Sequence, residues 1–527
     1  MELTKNNYYD IEPTILKDIE ESNFISLDLE LSGLIQNKFK IYDSPEENFI
    51  KSKYNAENFR IIQLGICPFI KNKSNEKEYI VKPYNIYVFP SEKINNGKFD
   101  FYLESIIFNR NHGCDFNKWI AQGVPYLNEE NLNKLLDRTL NGDINKYNQN
   151  NTSSFKNISI YKDKDKIIYK NFFNKFNDFF NNQNEKIFKH EKINKHILLY
   201  FLNNLNEEIR KQIFIEHKEE SIGLEIKEFI IIYKLTPEEK SKKLKEKKNE
   251  IMIMIKKEKG VKNIFEKIIE EKKPIIGHNC YIDLLFIMNY FIEEIPKSYK
   301  EFKSRLKYKF IEGIYDTKLL YNQSNLNFTD SNNLKNSIHL EALYKNLSKL
   351  NTELTDDKRI KVKIPLNEGF IDYLDEKNSS KFHQADYDAF TTGCAFIFMR
   401  NILGDNFIQN NKNKLNCYRG LYSCFDLNNN DENEEYLNNC SDVYVLNFNK
   451  DENIEEIINS KYINVKLGSK ELGNSFIIFI KSEDKNKFGE LIQKYKDLVS
   501  IKTIEEYREE LKLKEHNKKN NLIMNYI

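Results

Sequence analysis

The sequence has 527 residues and a mass of 63.0 kDa, enough for about three to four domains of ordinary size. Hydrophobic residues make up 40% of it and aromatic residues 13%, which excludes a wholly disordered chain. The 81 basic and 80 acidic residues leave a formal net charge of +1. The overall charge therefore points to no nucleic-acid or membrane partner, and any such contact must use local patches.

Residues 1–165 predict the N-terminal part of one domain. Pro13 opens a helix-like stretch that runs to about Ser22, and FISLDLE at 24–30 is typical of a buried strand. Strand-like runs follow at 59–70 and 84–90, and a loop then passes into a helix. The Asn-, Ser- and Lys-rich stretch from 141 to 165 predicts a solvated boundary.

Residues 166–258 predict a small inserted domain, because they contain helical and strand-like runs of their own and a Lys/Glu-dense helical exit. Residues 259–405 alternate helix, short strand and turn, which indicates the second part of an α/β domain. The composition then predicts a linker at 406–440, a small α+β domain at 441–513 and a basic tail at 514–527.

The spacing of the cysteines and the lengths of the apolar stretches indicate the cellular context. The seven cysteines are widely spread and form no C-x-x-C pair, which argues against a disulfide scaffold or a zinc finger. No apolar stretch approaches the roughly 18 to 20 residues that span a bilayer. We therefore expect a soluble intracellular protein without a membrane partner.

Two acidic side chains share a predicted strand. Asp28 and Glu30 are two residues apart, so both carboxylates project from one face of the sheet. Such a pair is costly on an apolar strand unless a cation binds it, although an exposed strand end is the alternative. Asp283 starts an apolar helix after the strand and turn PIIGHN, where α/β sheets place their sites, or it serves only as a helix-start acid.

A histidine and another aspartate complete the set. His383 and Asp388 are five residues apart where a loop enters a predicted helix; each alone is also compatible with a structural role. Together, four carboxylates and one histidine are the components of a two-magnesium phosphodiesterase. Two Mg²⁺ ions can activate a water and stabilise the leaving oxygen, and a neutral histidine can take the proton.

At this point the sequence resembles the DEDDh exonucleases and, among them, the poly(A)-specific ribonuclease family. The resemblance covers most of the chain, with the matching stretches in the family's order and at comparable spacing. These stretches are NFISLDLELSGL, FRIIQLGICPF, YNIYVFP, DFNKWIAQGVPYLN, PIIGHNCYIDLL, IYDTKLL and HQADYDAFTTG.

The resemblance implies a fold class and an activity. The fold is α/β, with an RNase H-like DEDD exonuclease core in which helices flank a central mixed sheet. This core carries the insert as a single-stranded-RNA-binding-like domain and ends in a C-terminal RRM-like domain. The activity is 3′-to-5′ removal of poly(A) from RNA with a free 3′ hydroxyl, releasing 5′-AMP. The implied partners are RNA with a 3′ poly(A) tail and a second copy of the chain in a homodimer, in cytoplasm and nucleus.

The resemblance also implies roles for individual residues. Four carboxylates would bind two Mg²⁺ ions per site, with Mn²⁺ as a possible substitute, and His383 would be the general base. Asp316 in IYDT is interpreted as structural. The metal ligands are Asp28, Glu30, Asp283 and Asp388, and the implied substrate contacts are Leu31 and Leu34 at the terminal adenine and Lys335 at a phosphate.

The sequence departs from the family pattern at three places. Asp386 stands where the family usually has glycine, and could weaken the site or perturb His383. The insert has Lys192 and His196 at the spacing of an R-x-x-x-H motif, with lysine in place of arginine. The only tryptophan, Trp119, lies in the nuclease half, which argues against cap binding.

Three hypotheses remain open at this stage. Tyr444 and Phe476, on the predicted central strands VYVLNF and SFIIFI, could stack RNA bases or belong to the core. The enzyme could instead trim the 3′ ends of small non-coding RNAs. The chain could also be an RNA-binding relative with an impaired nuclease site, although the five site residues are intact.

Overall fold

The computed structural model describes most of the chain. The residues outside the description are 37–38, 94–97, 140–147, 149–158, 223–224, 329–337, 366–369, 371–381, 418–419, 430–441, 449–464, 469–474, 481–483, 495–498 and 525–527. The described part divides into two units: one comprises Met1–Pro90, Gly97–Tyr126 and Val261–Ile527, and the other Ser91–Asn96 and Leu127–Gly260.

The strands are β1 Glu2–Leu3, β2 Phe24–Leu31, β3 Ile61–Lys71, β4 Glu78–Val81, β5 Tyr84–Tyr87, β6 Ile187–Glu191, β7 Ile213–Ile222, β8 Glu225–Lys234, β9 Ile275–Gly277, β10 Ile314–Asp316, β11 Lys361–Lys363, β12 Lys414–Leu415, β13 Phe425–Asp426, β14 Asp442–Phe448, β15 Val465–Gly468, β16 Ser475–Ile480 and β17 Val499–Thr503.

The helices are α1 Tyr8–Glu21, α2 Pro45–Asn58, α3 Leu103–Asn111, α4 Phe116–Gln122, α5 Glu129–Leu136, α6 Asp163–Asn181, α7 Lys195–Asn204, α8 Glu207–Gln212, α9 Pro237–Lys259, α10 Lys262–Glu270, α11 Tyr281–Ile287, α12 Tyr299–Lys309, α13 Thr317–Gln323, α14 Leu340–Glu353, α15 Ala385–Leu403, α16 Asp405–Asn410, α17 Lys485–Lys494 and α18 Ile504–Met524; the π-helical turn Met288–Ile292 continues α11.

The first unit is built on a mixed sheet in the order β1-β5-β3-β2-β9-β10, with β4 on β3 and β11 on β4. Strand β2 is antiparallel to β3 and parallel to β9, so it is covered on both edges. Its apolar residues are buried because helices cover the sheet. The predicted α/β class with a central mixed sheet flanked by helices is therefore confirmed.

Helix α15 packs directly on this sheet, and nearly all of its side chains up to Met399 are buried. Gly393 allows the close contact, since a Cβ atom there would lie 2.1 Å from the Phe69 ring. Helix α15 contacts both β2 and β3, and its first turn lies against Gly65 of β3, which is opposite Asp28 of β2.

The structure refines several predictions for this unit. Helix α1 begins at Tyr8, and Pro13 lies inside it rather than at its start. The predicted linker 406–440 contributes Leu415 and Phe425 to the core, because these residues pair across the short antiparallel sheet of β12 and β13. No helix in the described part of the chain is both long and apolar enough to cross a bilayer.

The second unit contains helices α5 to α9 and an antiparallel sheet in the order β6-β8-β7. Phenylalanines of α6 and aliphatic side chains of α7 pack on the sheet and form a separate core. Helix α9 begins with a capping box, in which Thr236 and Glu239 each bond the other's backbone amide.

The C-terminal part of the first unit forms a four-stranded antiparallel sheet in the order β15-β16-β14-β17. The segments VYVLNF and SFIIFI lie in its two central strands, β14 and β16. Helices α17 and α18 lie beside this sheet.

Candidate active site

Strand β2 carries the first two acidic side chains of the site. Asp28 and Glu30 alternate with buried leucines, so both carboxylates lie on the same face of the sheet. The register with β3 places Asp28 opposite Gly65. Glu30 is only 8% exposed, so its carboxylate has largely left bulk water.

Helix α15 adds a third carboxylate because its first turn lies against β3. Gly65 makes this approach possible, since a Cβ atom built on it would lie 1.8 Å from the carbonyl oxygen of Ala385. One carboxylate oxygen from each of Asp28, Glu30 and Asp388 lies within 4.8 Å of the others. Residues far apart in the sequence thus form one compact acidic group.

The hydrogen bonds of Asp388 test whether this group fits a cation. Its Oδ2 accepts a hydrogen bond from the backbone amide of His383 at 3.1 Å, whereas its Oδ1 is buried without a hydrogen-bond partner. A buried acceptor without a partner costs about 1–3 kcal/mol. A hard divalent cation with oxygen ligands removes this cost and the repulsion between carboxylates. The three residues therefore fit a magnesium or manganese ion.

Asp283 lies in the first turn of α11, after strand β9, which pairs in parallel with β2. Its charge raises the pKa of both Asp28 and Glu30, so the carboxylate belongs to the same electrostatic site. Burial raises the pKa of Asp283 itself to about 7, and Asp316 adds to that shift. Among the described residues, Asp283 lies outside the close group of three.

Burial is the main cause of the raised pKa values in this acidic site. It raises the pKa of Asp28 and of Glu30 well above their usual range, and the charge of Asp388 adds to both shifts. Burial also raises the pKa of Asp388 to about 7, while the hydrogen bond from the His383 amide opposes this change. Without a cation, the site therefore holds protons near neutral pH.

The backbone of His383 reaches the acidic group, but its imidazole is not part of that group. Its φ of +70° lies in the left-handed region, which few residues other than glycine adopt. The ring packs against Phe108 and His112, with centroid distances of 4.9 and 4.5 Å. Partial burial and the imidazole of His112 lower the pKa of His383, which favours the neutral form.

Phe108 and His112 are candidate functional residues that the sequence reasoning missed. Their ring centroids are 4.2 Å apart, and Nδ1 of His112 donates to the carbonyl oxygen of Phe108 at 2.8 Å. Phe108 lies in the last turn of α3 and His112 caps the end of that helix, so both rings lie at its C-terminal end. Nothing in the sequence indicates that His383 packs there, because that contact exists only in the folded chain.

The remaining predicted residues occupy different surroundings. Leu31 and Leu34 are partly buried and pack against the edge of the core. Lys335 lies outside the described residues. Asp316 is structural, because its carboxylate accepts hydrogen bonds from the backbone amides of Asn279, Cys280, Lys318, Leu319 and Asn416.

Asp386, the departure from the family pattern, does not belong to the close acidic group. Its Oδ1 accepts a hydrogen bond from the Tyr387 amide at 3.0 Å, and its Oδ2 lies 3.9 Å from the terminal amino nitrogen of Met1. Its charge still raises the pKa of Asp388. Asp386 therefore affects the site through its charge.

Known ribonucleases are similar to this chain over most of its length. The model of the CAF1 family ribonucleases matches residues 3–396. The poly(A)-specific ribonuclease PARN of Xenopus laevis is 28% identical over 431 residues, which cover 79% of this chain and 65% of that protein. The human PARN is 29% identical over 427 residues, covering 77% and 62%, respectively. This chain thus spans less than two thirds of their lengths.

Other similar proteins have lower sequence identity to this chain or align with different shares of the two sequences. The pre-piRNA 3′-exonuclease trimmer of Bombyx mori is 27% identical over 414 residues, which cover 75% of this chain and 70% of the trimmer. Among solved structures, the RNase domain of yeast Pop2 is 11% identical with a TM-score of 0.34, covering 76% of this chain and 85% of that domain. Because the family match extends over well more than half of the sequence, this chain belongs to the CAF1 family ribonucleases.

Proposed function

We propose that this chain is a 3′-to-5′ exoribonuclease that shortens poly(A) tails by hydrolysis from a free 3′ hydroxyl and releases 5′-AMP. One observation carries the proposal: Asp28, Glu30 and Asp388 place carboxylate oxygens within 4.8 Å of one another in a chain of a ribonuclease family. The relatives named as poly(A)-specific ribonucleases support poly(A) as the substrate.

We assign Asp28, Glu30, Asp283 and Asp388 as ligands for two Mg²⁺ ions, or Mn²⁺ in their place. The partnerless Oδ1 of Asp388 and the raised pKa values of all four carboxyls support this assignment. Bound ions of this kind supply an activated water and charge compensation at the phosphate. Without bound ions these carboxyls hold protons near neutral pH, and a bound cation would stabilise their charged form.

His383 is the proposed general base, and Leu31 and Leu34 are the proposed contacts of the terminal adenine. The lowered pKa of His383 keeps a ring nitrogen free to accept a proton. The two leucines follow the acidic pair directly and present partly buried apolar surface. Lys335 remains a proposed phosphate contact on the family resemblance alone.

We also propose that the inserted unit binds single-stranded RNA. Its place in the chain supports this proposal more than its R-x-x-x-H-like spacing does. Lys192 forms an ion pair with Glu228, and Nε2 of His196 lies 2.9 Å from the carbonyl oxygen of Ser159. Both side chains are therefore already engaged within the unit.

A homodimer and residence in both cytoplasm and nucleus remain proposals that rest on the family resemblance. Cap binding is not part of the proposal. Trp119 is fully buried, and its indole nitrogen donates to the carbonyl oxygen of Val88 at 2.7 Å. The only tryptophan of the chain is therefore not available to stack on a cap base.

Substrate preference and product identity test the proposed function. RNAs of equal length ending in an A tract or a U tract are digested with Mg²⁺, and the released nucleotides are separated by chromatography. We expect faster shortening of the A-ended RNA and 5′-AMP as the product. A second candidate, suggested by the trimmer of Bombyx mori, predicts instead equal shortening of both 3′ ends.

We predict that His112→Ala lowers kcat about tenfold and changes KM little, because the His383 imidazole loses one of the two rings that it packs against. Steady-state kinetics on a short A-ended RNA measures both constants. His112→Phe is the matched control, since it keeps a ring beside His383 and should retain most of the rate. Equal losses in the two variants would contradict this positioning role.

We predict that Mg²⁺ binds at least about tenfold more weakly at about pH 6 than at about pH 8. The pKa values of Asp283 and Asp388 are raised to about 7, so both carboxyls hold protons below that pH. The incoming ion must displace these protons. Isothermal titration calorimetry in two buffers of different ionisation enthalpy measures affinity and proton release; affinity independent of pH without proton release would be incompatible with the assignment.

A further inference from the structure

The two faces of the C-terminal sheet are covered by different elements. On one face, Tyr444 of β14 lies opposite Ile478 of β16. Tyr444 packs against Phe488 of α17, with a centroid distance of 6.1 Å, so α17 covers this face. Tyr444 is thus occupied by a helix contact rather than presented to RNA bases. The side chain of Phe476, the other predicted stacking residue, lies outside the described part.

The opposite face presents apolar residues of the two central strands, and these are buried as well. We call this surface the docking face; it consists of Val443, Val445, Ile477 and Phe479, each at most 3% exposed. Residues of α18 and of the nuclease core cover it, namely Ile504, Tyr507, Leu421, Ile41 and Tyr42. The only aromatic ring among the four face residues, Phe479, is therefore inside a closed core.

Helix α18 also holds the nuclease core through polar contacts. Nε of Arg508 donates to the carbonyl oxygen of Tyr42, and its Nη2 donates to the Tyr422 hydroxyl at 3.0 Å. The ring of Tyr507 meets that of Tyr42 edge to face at 5.5 Å. Lys512 adds an ion pair of 2.9 Å with Glu47.

The nuclease residues held in this way form the segment Ile41–Glu47, which we call the clamped segment. It follows Leu34 of the candidate adenine site and ends in the first turn of α2. Within it, Asp43 accepts a hydrogen bond from the Lys40 amide and pairs with Lys51, so the turn is braced from both sides. The contacts of α18 therefore act on the stretch of chain that follows the candidate substrate residues.

We propose that the docking face is an intramolecular interface for the clamped segment and not an RNA platform, and that α18 thereby supports RNA binding at the nuclease site. The second half of this statement rests on the proposed function. The partner of the face is α18 together with the chain's own residues Ile41 and Tyr42. Removing the contacts that cover the docking face should weaken RNA binding. If the face were an RNA platform, the same change would expose it and RNA binding would not weaken.

Hydrogen exchange with mass spectrometry tests the interface on the full chain without any RNA. The variants are Arg508→Ala and the double variant Tyr507→Ala/Arg508→Ala, with Arg305→Ala as the matched control. Arg305 lies on α12, and its ion pair is with Glu301 of the same helix. Peptides from α15 report whether each variant is folded.

We expect amides of the clamped segment to exchange at least about tenfold faster in the double variant, with a smaller change in Arg508→Ala and none in Arg305→Ala. Exchange in α15 should remain unchanged. Unchanged exchange of the clamped segment in the double variant would overturn the proposed interface. If the double variant unfolds, Arg508→Ala and Lys512→Ala are measured instead. Unchanged exchange of the clamped segment in both variants would then overturn the proposed interface.

RNA binding tests the second half of the proposal. Fluorescence anisotropy with a labelled oligoadenylate, in Ca²⁺ instead of Mg²⁺ to suppress turnover, gives Kd for each variant. We expect Kd to rise at least about fivefold in the double variant and to stay constant in Arg305→Ala. An unchanged or lower Kd would overturn the supporting role. If the wild-type chain binds no oligoadenylate, the proposed function fails, whereas the exchange data still decide on the interface.

Discussion

Asp28→Asn and Asp388→Asn should each reduce the rate of 3′-nucleotide release by at least about a thousandfold while increasing thermal stability in the absence of metal. Each change removes a charge from a group of three carboxylates within 4.8 Å of one another, and the group has a buried acceptor without a partner. Removing that charge should raise the free energy of unfolding at about pH 8 by at least about 1 kcal/mol.

The opposite signs of the two effects make this prediction specific. A residue that only supports the fold loses stability and activity together when it is changed. Thermal unfolding with EDTA and single-turnover kinetics with Mg²⁺ measure the two effects. Asp316→Asn is the matched control, since the Asp316 carboxylate accepts hydrogen bonds from five backbone amides. This variant should be less stable than the wild type. Lower stability of Asp388→Asn without metal would contradict the account.

Gly65→Ala should lower activity at least about a hundredfold, although Gly65 has no functional group. The new Cβ atom would lie 1.8 Å from the carbonyl oxygen of Ala385 and 2.7 Å from the amide nitrogen of Asp386. Both are backbone atoms, so the first turn of α15 must move away from β3. That movement carries the carboxylate of Asp388 away from Asp28, which stands opposite Gly65.

The expected loss of stability is about 1–3 kcal/mol, as for other overpacked core positions. Gly489→Ala is the matched control, because a Cβ atom at Gly489 in α17 meets nothing within 4 Å. Alanine in a helix interior should stabilise that variant by about 0.5–1 kcal/mol and leave its activity unchanged. Near wild-type activity in Gly65→Ala would show that α15 does not depend on this contact.

The central sheet and the acidic residues were predictable because their signals are local. Acidic residues at alternate positions of an apolar strand lie on one face of the sheet. An aspartate directly before an apolar helical run indicates where that helix starts. The pattern of 24–30 therefore predicts strand β2, which extends over Phe24–Leu31. The same reasoning predicts a helix where the loop of His383 and Asp388 ends, and the structure begins α15 at Ala385.

The contacts that complete the site were not predictable in the same way. His383 packs against Phe108 and His112, which lie at the C-terminal end of α3, far away in the sequence. The role of Gly65 depends on where α15 crosses the sheet, whereas a glycine in a strand is equally typical of a bulge or a bend. The asparagine content of 406–440 obscured Leu415 and Phe425, which are fully buried in the core.

The central claim is that these carboxylates form a metal centre that removes nucleotides from the 3′ end of RNA. The most direct test is the time course of digestion of a 5′-labelled RNA ending in an A tract, with Mg²⁺ or with EDTA, and with a 3′-phosphorylated RNA as a control. We predict stepwise shortening with Mg²⁺ that EDTA and the 3′ phosphate both prevent. RNA binding without any shortening in Mg²⁺ would contradict the claim and identify an RNA-binding protein with an impaired nuclease site.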